Sequence, residues 1–363
     1  MNRLKQLAPL GQSIWLDFIQ RSLLTSGEMR RLVEEDGVTG LTSNPSIFEK
    51  AIGGTQDYAT AMSALRARGL GTAQVYEALA VEDLRMAADE LRVVYDRAGG
   101  RDGYVSLEVS PHLARDSEGT LAEARRLWSA VDRPNLMIKV PGTGEGMVAV
   151  ERLIAEGINV NVTLLFARSA YRAAAEAFVR GLETRHAAGQ PVSGIASVAS
   201  FFVSRIDTLV DSKLNDLHAE LKGKAAIANA KLAYRDYEGL IAGDRWKRLS
   251  AAGAMPQRLL WASTSTKNPA YRDVIYVEEL IGPDTVNTLP LATLQAFRDH
   301  GEGKASLHQD VVRAEGHMVR LRAVGIDFDA VTAQLLDEGL TLFTKSFDSL
   351  LASVEKAGAD RSA

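Results

Sequence analysis

The sequence predicts an α/β fold: a closed (β/α)8 TIM barrel with additional helices and a helical C-terminal extension. Two observations carry this. Short apolar, strand-like runs alternate with longer helical patterns, and eight such runs fall between residues 14 and 289. Strands that alternate with helices pair in parallel, and eight of them suit a barrel of ~250 residues plus insertions. A third observation is that three runs each hold an ionisable side chain, and a parallel barrel gathers its strand ends at one mouth. An open doubly wound sheet is the competing architecture.

The runs cover residues 14–19, 38–42, 104–109, 136–140, 158–163, 194–198, 259–262 and 285–289. Helical stretches lie between them, among them an alanine-rich one over 164–188 and another over 202–221. The long gaps 45–103 and 203–258 must hold extra helices. After residue 300 the alternation stops. Leu336, Leu340, Phe343, Phe347 and Leu350 recur at helical spacing, so the chain ends in a long amphipathic helix. Asp327 or Asp329 is its expected N-cap. Residues 1–300 therefore read as the barrel, and 301–363 as an extension packed on it within the same domain, or as a subunit contact.

Composition narrows the function classes. With 42 Lys+Arg against 46 Asp+Glu the net charge is −4, which offers no electrostatic argument for nucleic acid or an anionic membrane. Cysteine is absent, so there is no thiolate nucleophile and no Cys-ligated zinc, in keeping with a reducing cytoplasm. The first residues lack the apolar stretch of a signal peptide, and no run approaches the ~20 residues that span a bilayer. The six histidines show no ligand spacing, and neither a metal nor a cofactor is expected. The segment Gly142–Gly146 follows a strand as a dinucleotide loop would, but Met147 replaces the last glycine of that fingerprint. A plain turn before a helix is the better reading.

The chemistry points to Lys139, one amine within the apolar run 136–140. Burial lowers the pKa of a lysine, and the neutral amine can attack a ketone to form a Schiff base. An edge-strand lysine reaching solvent is the alternative. Asp17 and Glu108 sit in two other runs, where an amine beside two carboxylic groups can divide roles as nucleophile and general acid/base. Asn44, Asn161 and Thr163 end strand-like runs with amide and hydroxyl groups suited to a polyhydroxylated ligand or a held water, although asparagine there is commonly a turn former or cap. The segment 200–205 is expected to follow the sixth strand and open a helix, with Ser200 and Arg205 beside free backbone N–H groups that suit phosphate. Ser263 and Lys267, after the seventh strand, add a hydroxyl and an ammonium.

These segments, in order, resemble the transaldolase family: Leu16-Asp17, Leu41-Thr42-Ser43-Asn44-Pro45-Ser46, Ser106-Leu107-Glu108-Val109, Ile138-Lys139-Val140-Pro141, Asn161-Val162-Thr163-Leu164 and Ser200-Phe201-Phe202-Val203-Ser204-Arg205-Ile206-Asp207. The resemblance covers about residues 13–290, and the helical C-terminus resembles the longer bacterial form. It implies a class I, metal-free transfer of a dihydroxyacetone unit between sugar phosphates in the pentose phosphate pathway. By similarity Lys139 is the Schiff-base lysine, Asp17 the general acid/base, and Glu108 with Thr163 the pair that holds a catalytic water. Asn44 and Asn161 match positions that bind the dihydroxyacetone moiety, and Ser200 and Arg205 match phosphate ligands.

The chain departs from the family pattern at Phe201 (a proline elsewhere), at Ser204 (a glycine) and at a second phosphate arginine, for which Lys267 is the substitute. A fructose 6-phosphate aldolase, which releases free dihydroxyacetone, is the rival. Those shorter relatives carry a tyrosine where this chain has Phe202. A metal-dependent barrel aldolase and a non-catalytic sugar-phosphate-binding barrel are readings of other classes. The oligomeric expectation is a monomer or homodimer.

Overall fold

The computed structural model describes residues 2–359; Met1 and residues 360–363, the end of the expected extension, lie outside them. Eight strands close a parallel barrel in sequence order: β1 Gln12–Asp17, β2 Val38–Thr42, β3 Val105–Glu108, β4 Leu136–Pro141, β5 Val160–Leu165, β6 Ser197–Phe202, β7 Arg258–Ala262 and β8 Thr285–Leu289. Closure leaves no free sheet edge and turns alternate residues of each strand inward. Ser13, Trp15 and Asp17 share one face of β1, and Gly40 on β2 is the register partner of Trp15. A Cβ at Gly40 would stand 2.4 Å from the Trp15 ring, so the indole fits only because that position has no side chain.

Seven strands fall where the sequence places them, to within a few residues. The sixth is a correction. Gly194 has φ +80° and turns the chain, so the strand starts at Ser197 and runs on through Phe202. Its pairing with β7 continues to Phe202 and Ala262. Aromatic residues fit a pleated surface buried on both sides, and Phe201 packs against Trp261 there (ring centroids 6.2 Å apart). Ser200 is thus inside a strand and not at a helix N-terminus. The helix that follows is Ser204–Lys213, so the stretch 202–221 is only partly helical. Likewise β5 extends to Leu165, and the alanine-rich helix spans Arg168–Ala187.

The gap after β2 holds the helices Pro45–Gly54, Ala59–Ala67 and Thr72–Arg97. The chain ends in the helix Phe328–Ala359, whose first turn is capped by Asp327 Oδ1 accepting from Ala330 N (3.0 Å). That helix lies along Pro45–Gly54 at the mouth of the barrel, joined to it by a Ser46–Ser346 hydroxyl hydrogen bond of 2.7 Å. Among the described residues no helix is long and apolar enough to cross a membrane.

Candidate active site

Lys139 projects into the barrel from β4 and is 4% exposed. Parallel register sets its neighbours: Glu108 pairs with it across β3, and Asn161 across β5. The Lys139 ammonium donates to Ser43 O (3.1 Å) and lies 3.1 Å from Glu108 Oε2. That carboxylate is off the hydrogen-bonding direction, so neither buried oxygen of Glu108 has an aligned donor among the described residues. The Thr163 hydroxyl is likewise buried without a partner. Orphan polar groups on the two strands flanking the lysine strand cost free energy, and they suit a site that must bind a water or a substrate oxygen.

Burial pushes the Glu108 carboxyl up; Lys139 pulls it back, and the charge of Asp17 adds to the rise. Asp17 closes β1, where desolvation also raises its carboxyl, opposed by Lys139, by a hydrogen bond from Thr42 Oγ1 (2.8 Å) and by Lys267. Two carboxyl groups held above their ordinary range around one amine are suited to give or take a proton during a reaction.

Asn161 is fully buried; its amide donates to Ser106 Oγ (3.1 Å) and its carbonyl accepts from Ser200 Oγ (2.6 Å). Ser200 therefore faces the barrel interior and fixes which way the Asn161 amide points. Asn44 is the N-cap of the helix Pro45–Gly54, its Oδ1 accepting from Ile47 N (3.0 Å). The capping role and a place in the site coexist, because Asn44 also lines the mouth.

Above this floor opens a cleft of about 480 Å³, whose walls include Asp17, Asn44, Lys139, Thr163, Ser200 and Phe202. Arg205, Ser263 and Lys267 line its far side. Arg205 lies in the first turn of Ser204–Lys213, 5.6 Å above the Phe202 ring, and has no ion-pair partner among the described residues. Its guanidinium is desolvated there, with Glu338 as a compensating charge. The Lys267 ammonium is pushed down by burial, by Arg205 and by Lys50. Ser263 holds a left-handed backbone (φ +55°), and its Oγ meets Ser204 Oγ at 3.0 Å. Leu164, beside Thr163, is also left-handed (φ +60°), where the β5–β6 register shifts. Such strain collects where a fold must aim side chains at a ligand.

The structure thus brings all eleven residues singled out in the sequence to one mouth, nine around the cleft with Glu108 and Asn161 beside Lys139. Sequence reasoning missed Thr42, Ser106, Lys50 and Phe343. Thr42 and Ser106 become visible only through strand pairing. Lys50 carries no local signal, since a lysine in an exposed helix turn is commonplace. Phe343 was legible as a buried helix position but not as a wall of the cleft. Among the described residues no group of three or more His, Asp or Glu side chains is placed to hold a metal ion.

The profile of the transaldolase/fructose-6-phosphate aldolase family matches residues 14–354. A transaldolase of Trichodesmium erythraeum is 48% identical over 98% of this chain and 97% of its own length. One of Thiobacillus denitrificans is 49% identical over 98% and 100%, and one of Neisseria gonorrhoeae 48% identical over 97% and 99%.

Proposed function

The chain belongs to the transaldolase/fructose-6-phosphate aldolase family, and from that premise we propose that it transfers a dihydroxyacetone unit through a Schiff base on Lys139. The donor is sedoheptulose 7-phosphate and the acceptor glyceraldehyde 3-phosphate; erythrose 4-phosphate and fructose 6-phosphate are the products. The observation that carries the reading is one buried amine, 3.1 Å from a raised carboxyl, at the floor of a cleft whose rim is cationic.

The steps follow from that geometry. Lys139 passes a proton to Glu108 and adds to the C2 carbonyl of the donor. The carbinolamine loses water, for which Glu108 and the orphan Thr163 hydroxyl supply contacts. Asp17 takes the C4 hydroxyl proton, the C3–C4 bond breaks, and its electron pair passes into the iminium to give an enamine. The aldose phosphate leaves. The enamine carbon then attacks the acceptor aldehyde, Asp17 returns its proton to the new alkoxide, and water hydrolyses the imine. The iminium is the electron sink, and held geometry supplies much of the rate.

Arg205, Lys267 and Lys50, none of them in an ion pair closer than 4 Å among the described residues, supply the cations for phosphate. Phe202 brings no hydroxyl to the cleft, which favours transfer over the release chemistry of the tyrosine-bearing relatives.

Borohydride trapping tests the reading. After incubation with fructose 6-phosphate and reduction, intact mass and peptide mapping should place a three-carbon adduct on Lys139, and adding erythrose 4-phosphate beforehand should deplete it. A folded sample with no adduct on any lysine would sink the Schiff-base assignment.

A further inference from the structure

We propose that Phe343, from the C-terminal helix, sets the partition between transfer of the three-carbon unit and its hydrolytic release. The inference rests on the Schiff-base reading of Lys139 and adds a residue to it. The Phe343 ring is 4% exposed, lines the cleft, and has its centroid 5.7 Å from Lys139 Nζ. Polar groups also stand near that nitrogen: Ser43 O, Glu108, and, one strand away, Asn161. Phe343 presents an apolar face to the amine.

The helix is held in place at several points. Gly339, one turn before Phe343, passes so close to Leu164 that a Cβ there would lie 3.0 Å from Leu164 Cδ2. Ser346 bonds Ser46, and Arg66 Nη2 donates to Val354 O (2.7 Å). Phe347 stacks edge-on to Tyr76 with centroids 5.6 Å apart. The ring over Lys139 is therefore fixed by the packing of the whole helix, not by a mobile loop.

The chemistry makes that wall matter. After the aldose phosphate leaves, the enamine has two fates. Its carbon attacks an acceptor aldehyde, forming a C–C bond. Or its carbon takes a proton, and water adds to the resulting imine, releasing dihydroxyacetone and returning the Lys139 amine. An aromatic ring against the nitrogen keeps water from one side of the intermediate and tolerates the iminium charge at its π face. Removing it opens the hydrolytic route while leaving the nucleophile and both carboxyl groups in place.

The test measures free dihydroxyacetone against sedoheptulose 7-phosphate formed from fructose 6-phosphate and erythrose 4-phosphate, in wild type, Phe343→Ala and Phe343→Leu, with borohydride trapping on each. The expected result is a release-to-transfer ratio raised about 3- to 10-fold in Phe343→Ala, on the scale of a lost aromatic wall contact, and close to wild type in Phe343→Leu, which keeps the apolar bulk. Should the alanine variant not fold, Phe343→Thr carries the same comparison. An unchanged ratio with normal trapping on Lys139 overturns this inference alone, as does an equal rise in the leucine variant. Absence of an adduct in wild type overturns the Schiff-base reading and this inference with it.

Discussion

At the scale of single residues, the site works by gathering three ionisable groups, Lys139 and Glu108 buried and Asp17 half-buried, at the floor of one cleft. Lys139, Asp17 and Glu108 each occupy an inward position at the top of a strand, and among the described residues the lysine nitrogen meets Ser43 O and Glu108 Oε2, each at 3.1 Å. Lys139→Met should abolish turnover and trapping while circular dichroism and thermal melting stay native; residual turnover above a percent would dismiss the mechanism. The pH profile offers a finer test. Asp17 must be ionised to accept the C4 hydroxyl proton, and burial holds its carboxyl above the ordinary value. Activity should therefore fade on the acid side at a higher pH than a solvated aspartate would give. Thr42 donates to the ionised carboxylate, so Thr42→Val should move that acid limb of kcat/KM up by about one unit. A limb that stays put would release Asp17 from the role. Lys50, the cation the sequence did not reveal, should act through the phosphate alone. Lys50→Met is expected to raise KM for fructose 6-phosphate about 3- to 10-fold with little change in kcat. An unchanged KM would remove it from the phosphate site.

Secondary-structure elements decide how accurately those side chains are aimed. The helix Ser204–Lys213 carries Arg205 over the cleft, and its anchor is Asp207, which accepts from Ala226 N and from the Tyr276 hydroxyl at 2.8 Å each. Burial is the main cause that pushes this carboxyl up, to about 7, with Asp211 adding to the rise. A buried acid whose folded pKa exceeds its unfolded one binds its proton more tightly when folded. Its contribution is therefore greatest below about pH 4 and is lost as pH rises towards 7. Asp207→Asn lacks that titration. Relative to wild type, the variant should gain about 2–4 kcal/mol between pH 4 and pH 8, read from denaturant unfolding at both pH values. A constant difference would show that Asp207 is ionised throughout.

Elements also mark what the sequence made legible. Seven strands could be read because apolar runs bounded by turns survive into the fold. The sixth was displaced because Phe201 and Phe202 read equally well as the start of a helix, and only pairing with β7 selects the strand. Lys139, Asp17 and Glu108 were legible because charge inside an apolar run is costly wherever the strand lies. Lys50 and Phe343 were not, because their meaning depends on two helices laid across the mouth from opposite ends of the chain.

Across the whole molecule the barrel separates chemistry from stability, one at each end. Opposite the cleft, Ser13, Trp15, Asp102 and Arg258 form a buried polar plug. Arg258 Nη1 donates to Ser13 Oγ (2.8 Å), Trp15 Nε1 to Asp102 Oδ1 (2.8 Å) and Ser13 Oγ to Asp102 Oδ2 (2.5 Å), while Arg258 Nη2 lies 3.5 Å from Asp102 Oδ1. Arg258 and Asp102 are 7% and 8% exposed, so removing one leaves the other largely buried. Breaking such a buried pair by deleting one partner costs about 3–5 kcal/mol, because the remaining charge stays desolvated. Asp102→Ala should accordingly lower the unfolding free energy by roughly that amount, and Asp102→Asn by less, since the amide can keep one hydrogen bond to Trp15. Neither change touches the mouth, where the strands end and the reaction proceeds. Lys139 should therefore still be trapped as the imine, and kcat per folded molecule should stay within about twofold of wild type. A large fall in kcat with stability intact would mean that the two ends of the barrel are coupled, and that the plug helps to set the height of the strands on which Lys139, Asp17 and Glu108 stand.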